Sequence, residues 1–190
     1  MRRSPSFTIT PGGAILLGAL VFLLQPAETG ALAAAVGVHE LGHLLALLLL
    51  GVRLDGIALT ATGPVLCCMM PEQGAEGALA TVSGPAFGAL FWLSFRRLWP
   101  LAAEMSSVLT VVNLLPVLPL DGGRLLKAFT ASHVGILRAV RFVVLVLLFS
   151  TGFICLYLGY GLAPLLFALW LLVLPNEASH SCKKLRNAVK

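Results

Sequence analysis

Long apolar blocks separated by short polar interruptions dominate the 190-residue chain, and the block lengths predict its elements. Residues 14–25 form a first block, which reaches the ~17 residues of a minimal membrane-crossing helix when extended back to Ile9. After a turn over 26–30, a second block runs from about Thr29 to Gly51. A third spans Ala78 to Phe95, with an interruption predicted at Ser83-Gly84-Pro85, and a fourth spans Leu101 to Leu120 and contains Asn113, Pro116 and Pro119. Residues 142–176 carry no charge and are long enough for two further crossings hinged at Gly159-Tyr160-Gly161. Residues 124–141 instead mix Arg124, Lys127, Arg138 and Arg141 with Leu125, Leu126 and Phe129, the pattern of an amphipathic helix lying on a membrane surface. The expected fold is an all-α polytopic membrane protein with about six transmembrane helices. Its expected organisation is a single domain over 1–190.

The segment from Arg53 to Pro71 breaks the helical pattern. It is apolar but punctuated by Gly56, Gly63, Pro64 and Pro71, and Ile57, Leu59 and Ala61 alternate with smaller or polar residues. Two short strands around Gly63-Pro64 are predicted, giving a membrane-associated β segment after the second helix, with an interfacial loop as the alternative. Non-helical backbone at membrane depth requires burial in protein or a wet cavity.

Composition supports the membrane reading. The chain is 58% hydrophobic and 11% charged, against about 25% charged for a typical soluble domain, and its mean hydropathy is +0.96. The net charge of +5 sits at block ends and not in a patch interleaved with aromatics, so no nucleic-acid partner is expected. With six crossings, Arg2, Arg3, Arg53, Arg124, Lys127, Arg138, Arg141, Lys183, Lys184, Arg186 and Lys190 share one side and only Arg96 and Arg97 lie opposite. The positive-inside rule then places both termini in the cytoplasm. Met1-Arg2-Arg3 and the first block resemble a signal peptide, with Ala31-Leu32-Ala33 offering small residues for cleavage. A cut there would damage the next helix, so an uncleaved first span is expected. The four cysteines, Cys67, Cys68, Cys155 and Cys182, lack C-x-x-C spacing and are read as reduced thiols, mostly packing residues.

Candidate chemistry concentrates in the second block. From Thr29 to Val52 the only ionisable residues are His39, Glu40 and His43. A charge within a membrane span costs at least about 2.5–3.5 kcal/mol, so three such residues point to a task. Helical geometry brings His39 and His43 to one face, one turn apart. The H-E-x-x-H spacing suits one zinc ion held by the two imidazoles, with Glu40 placed to accept a proton from water. A third ligand is needed, and Asp121 is the best candidate, with Gly122 and Gly123 expected to relax the backbone so that the carboxylate turns inward. The alternative is a span-end aspartate paired with Arg124. Asp55, Glu72, His133 and His180 are weaker ligand candidates.

His39-Glu40-Leu41-Gly42-His43, Ser83-Gly84-Pro85 and the run from Asn113 through Leu120-Asp121-Gly122-Gly123-Arg124 resemble the signatures of the site-2 protease family. The resemblance covers the second to fourth blocks, a catalytic core of about 29–124. It implies an intramembrane zinc metalloprotease with one Zn2+ per chain, bound by His39, His43 and Asp121. It further implies Glu40 and Asn113 as catalytic residues, with Asn113 polarising the scissile carbonyl. Ile57, Leu59, Ser83, Gly84 and Pro85 become candidates for substrate binding, with the 53–71 segment offering an edge for strand addition.

The small size is most similar to the sporulation-type (SpoIVFB-like) branch of the family. The implied substrate is a membrane-associated regulatory protein such as a pro-sigma or anti-sigma factor, in the bacterial cytoplasmic membrane, with a membrane regulatory partner as a further expectation. That branch often carries a C-terminal CBS domain with no counterpart here, so such regulation is expected to be absent or supplied by another protein. Gly88 stands where the family commonly has Asn. A catalytically silent metal-binding regulator and a metal transporter are the competing classes; the intact Glu40 disfavours the first, and the lack of a second ligand cluster disfavours the second.

Overall fold

The computed structural model describes residues 6–68, 74–130, 134–159, 161–173 and Cys182. The chain opens with a short strand, β1 (Ser6–Ile9), followed by helix α1 (Pro11–Leu23). Thr10 starts that helix, its hydroxyl accepting the Gly13 N–H at 3.0 Å with Pro11 in the first turn. Ile9 therefore does not extend the first block as a helix. It pairs in a sheet, and α1 is left with 13 residues, about 20 Å of helix.

Helix α2 (Pro26–Leu49) begins with a reciprocal cap, in which the Gln25 N–H donates to Glu28 Oε2 at 2.8 Å. Its buried face recurs every three or four residues through Ala31, Ala35, His39, His43 and Ala46. Strands β2 (Leu54–Thr60) and β3 (Gly63–Cys68) form the expected hairpin. β1 adds to it in parallel, from Ser6 opposite Gly56 to Ile9 opposite Leu59, so β2 is the central strand. A parallel pair needs a long crossover, and α1 and α2 supply it. Gly13 lets α1 close onto the sheet, because a Cβ there would strike the Leu59 carbonyl oxygen.

Helix α3 (Ala75–Phe95) runs unbroken through Pro85, contrary to the predicted interruption at Ser83-Gly84-Pro85. It packs antiparallel to α2: Ala46 and Leu47 meet Ala80, while a side chain on Gly42 would meet Ser83 and Phe87. Helix α4 (Pro100–Asn113) ends earlier than its apolar block. Residues 114–120 are non-helical, and Asp121 opens a separate short helix, α5 (Asp121–Phe129). The amphipathic stretch expected over 124–141 is thus split. Its second half, with Arg138 and Arg141, belongs to α6 (Val134–Tyr157). Helix α7 (Ala163–Val173) packs on α6 through Leu145 and Leu171. It touches the hairpin turn, where the Trp170 indole N–H donates to the Ala61 carbonyl at 3.3 Å.

Among the described residues three helices are long and apolar enough to cross a membrane: Pro26–Leu49, Ala75–Phe95 and 135–157. α1, α4 and α7 have 13, 14 and 11 residues and fall short by length, so the count of about six crossings is not reproduced. The fold is mostly helical with a small sheet. Large apolar side chains such as Phe22 (89% exposed) face outward, whereas Ala31, Ala35, Ala102, Ala103 and Ser106 are fully buried. Helices packed through small residues with bulky ones outside match the packing rule for helices in lipid.

The cysteine reading is corrected for one pair. Cys67 and Cys182 form a disulfide across 115 positions, with Cα atoms 5.2 Å apart. Their separation in sequence concealed it, since a pair closed by tertiary folding leaves no local spacing to read.

The small-residue interface makes a stability prediction. Ala35→Leu, at a fully buried position of α2, is expected to cost about 1–3 kcal/mol by overpacking. Leu49→Ala, at an 81% exposed position, is expected to change stability far less. Thermal denaturation of both variants in detergent checks the difference.

Candidate metal centre

The second helix presents His39 and His43 from its buried face, 4% and 8% exposed. Their Nε2 atoms lie 3.2 Å apart. Asp121, 6% exposed, arrives from the first turn of α5, with Oδ2 3.0 Å from His39 Nε2 and 3.1 Å from His43 Nε2. Three residues separated by up to 82 positions therefore converge on one point.

The glycines after Asp121 work differently from the sequence expectation. Neither has a positive φ, so unusual backbone conformation is not their contribution. A Cβ on Gly122 would strike the Leu114 carbonyl, and one on Gly123 would strike the Val117 backbone. Their smallness lets α5 nest against the 114–120 segment and brings Asp121 to the histidines.

The tautomer of His43 follows from its surroundings. Its Nδ1 lies 2.7 Å from the Ala80 carbonyl oxygen, which only accepts, so Nδ1 carries the proton. In the neutral ring, Nε2 then turns a lone pair toward Asp121 Oδ2 and His39 Nε2. A lone pair facing a carboxylate oxygen at 3.1 Å is repulsive unless a cation lies between them. Ligand atoms ~2.0–2.1 Å from a tetrahedral zinc ion are about 3.3 Å from one another, close to the observed 3.0–3.2 Å separations. Among the described residues, His39, His43 and Asp121 form the group able to hold a metal ion, and their geometry and chemistry fit zinc.

Asp121 serves both readings offered for it, through different oxygens. Oδ2 faces the imidazoles, while Oδ1 lies 3.8 Å from Nη1 of the half-exposed Arg124.

Glu40 follows His39 directly and is half-buried on the same helix. Asn113, at the end of α4, turns its side-chain N–H back to the Leu109 carbonyl at 3.1 Å. The Ser83 hydroxyl donates at 2.8 Å to the Ala80 carbonyl that also accepts from His43. Gly84 lies against the His43 ring, for a Cβ there would land on Nε2. Pro85 is buried next to it. Ile57 and Leu59 sit on the central strand β2, whose two edges are already paired with β1 and β3. Among the described residues the open edge within the 53–71 segment therefore belongs to β3, and these two residues do not lie on it. Of the weaker ligand candidates, Asp55 is in β2, while Glu72, His133 and His180 lie outside the described residues. The Ala80 carbonyl had no signal in the sequence, because any residue supplies that group.

Gly84→Ala is expected to displace His43 and abolish stoichiometric zinc binding. Gly30→Ala, on the same helix as His43 but with nothing near its Cβ position, is expected to leave binding intact. Zinc content of the purified variants checks this.

Residues 72–157 match the sequence model of peptidase family M50. The match contains Ser83-Gly84-Pro85 and Asp121, while His39 and His43 precede it. No curated protein matches the sequence. Among solved structures, the fold is similar to that of a site-2 protease from Methanocaldococcus jannaschii, with a TM-score of 0.60 over 90% of each chain at 20% identity. The resemblance to site-2 proteases read from the motifs is borne out by the match of residues 72–157 to the peptidase family M50 model and by the likeness of the fold.

Proposed function

We propose that the protein is an intramembrane zinc metalloprotease of the site-2 type. It hydrolyses a peptide bond in or near a membrane segment of a regulatory protein such as a pro-sigma or anti-sigma factor. The convergence of Asp121 Oδ2 on His39 Nε2 and His43 Nε2, at the buried face of a helix of membrane-crossing length, carries this reading. Three protein ligands leave a fourth zinc position open, as in catalytic sites.

When bound, zinc polarises the scissile carbonyl and lowers the pKa of its water toward ~7. The chain's own residues supply the rest. The two imidazoles and the Asp121 carboxylate hold the ion, and Ala80 fixes the His43 ring through Nδ1. Glu40 accepts a proton from the attacking water and passes it to the departing amine. The Asn113 amide, once released from Leu109, donates to the developing oxyanion, a contribution worth about 3 kcal/mol when correctly placed. A helical substrate must unwind first, because helical hydrogen bonds shield the peptide bond. The edge of β3 that is open among the described residues offers main-chain groups to receive the extended segment.

The protein is read as a multi-pass component of a bacterial cytoplasmic membrane, with both termini cytoplasmic and one catalytic domain. Its branch within the family is read as the sporulation type.

Glu40→Gln separates this reading from a silent metal-binding regulator. The variant is expected to retain about one zinc per chain while cleavage of a membrane-anchored substrate falls about 10²–10⁴-fold. Asp121→Ala is expected to lose the metal. Zinc analysis and cleavage assays in detergent check both, and equal cleavage by wild type and Glu40→Gln would remove the assigned base.

A further inference from the structure

Two buried side-chain polar atoms among the described residues lack a hydrogen-bond partner: His39 Nδ1 and Thr110 Oγ1. Their residues are 4% and 8% exposed. Buried polar atoms are normally paired with protein or ordered water.

Helix register brings the two to one level of the molecule. In the antiparallel α2–α3 pair, His43 lies against Gly84. One turn back along α2 is His39, and one turn forward along α3 is Gly88. Thr110 of α4 fills the space over Gly88, where a Cβ would strike Thr110 Oγ1. The neighbouring Ser106 hydroxyl donates to the Gly88 carbonyl at 3.0 Å and pins α4 there. Helix α4 also packs directly on α2.

The chemistry of the two atoms is complementary. His39 Nε2 faces Asp121 and His43, so a ring that offers its Nε2 lone pair to a cation carries its proton on Nδ1. That N–H needs an acceptor, as a metal-bound imidazole almost always has one. His43 has the Ala80 carbonyl. Thr110 offers a hydroxyl oxygen able to accept.

We propose that Thr110 is a positioning residue for His39, its hydroxyl oxygen accepting the Nδ1–H across a single water and so fixing the tautomer that turns Nε2 to the metal. The role rests on the metal reading above. It assigns the two imidazoles unlike supports, a backbone carbonyl for His43 and a side-chain hydroxyl for His39. Only the second can be removed by a point substitution without touching a ligand.

The test uses the full chain in detergent as wild type, Thr110→Val and Thr110→Ser, with zinc affinity measured by competition with a chelator. Thr110→Val is expected to bind zinc about 10–100-fold more weakly, and Thr110→Ser to bind close to wild type. The metal-free Thr110→Val protein is expected to melt no lower than wild type, because an unpaired buried hydroxyl has been replaced by a methyl. Nitrogen-15 NMR of histidine in the zinc-loaded wild type is expected to show His39 protonated at Nδ1 and protected from exchange. Wild-type affinity in Thr110→Val, serine as weak as valine, or a rapidly exchanging Nδ1 proton would each overturn the role. The NMR signature decides it even where the valine variant does not fold. A wild type without bound zinc sinks the metal reading and this role together, whereas zinc-loaded wild type with an unaffected valine variant sinks this role alone.

Discussion

The close approach of α2 and α3 is the constraint on which the site depends. A helix pair separated by bulky side chains could not place an imidazole where His43 lies, because its ring occupies the room that a Cβ on Gly84 would take. The same proximity puts the Ala80 carbonyl within 2.7 Å of His43 Nδ1 and so sets the tautomer of a residue on the opposite helix. Helices in lipid gain little from burying large apolar groups against each other, and small residues at the contact are the general solution. Here that solution has a chemical result. The glycines that allow tight packing are also the ones that leave space for the donor atoms.

Asp121 shows the same logic on another scale. Its carboxylate reaches the histidines because the chain turns back after α4 and because Gly122 and Gly123 permit a dense fold against 114–118. The two halves of the donor set are thus prepared separately, one by helix–helix packing and one by a compact irregular segment. A group held in this way loses little freedom when an ion binds, which is the advantage of a preorganised site.

The parts legible in the sequence were those encoded locally. The block ending near Gly51 became α2, the Gly63-Pro64 region became a hairpin, and three ionisable residues in an apolar run located the face whose histidines, with Asp121, could hold a metal ion. Asp121 was legible as a residue, through the pattern around it, but not as the start of a helix. What escaped was non-local. β1 is four residues long and gains its strand character from a partner some fifty positions away, so its residues look like the edge of a helix. The Cys67–Cys182 bond has the same origin. The Pro85 interruption failed for a different reason, since a helix enclosed by neighbours tolerates the loss of one backbone hydrogen bond. Asn113 was placed by motif, but its rotamer, turned toward Leu109, is decided by contacts that no motif records.

The parallel pairing of β1 with β2 also sets an order of assembly. β1 leaves the ribosome first and finds no partner until α1, α2 and β2 have followed it. The connection between the paired strands contains the helix bearing His39 and His43, whereas Asp121 lies more than fifty residues beyond β2 in the sequence. The two histidines are therefore synthesised well before the third candidate ligand. An ion that reached the nascent chain early would meet two imidazoles without the carboxylate, so the three-donor site exists only once the chain has grown past α5.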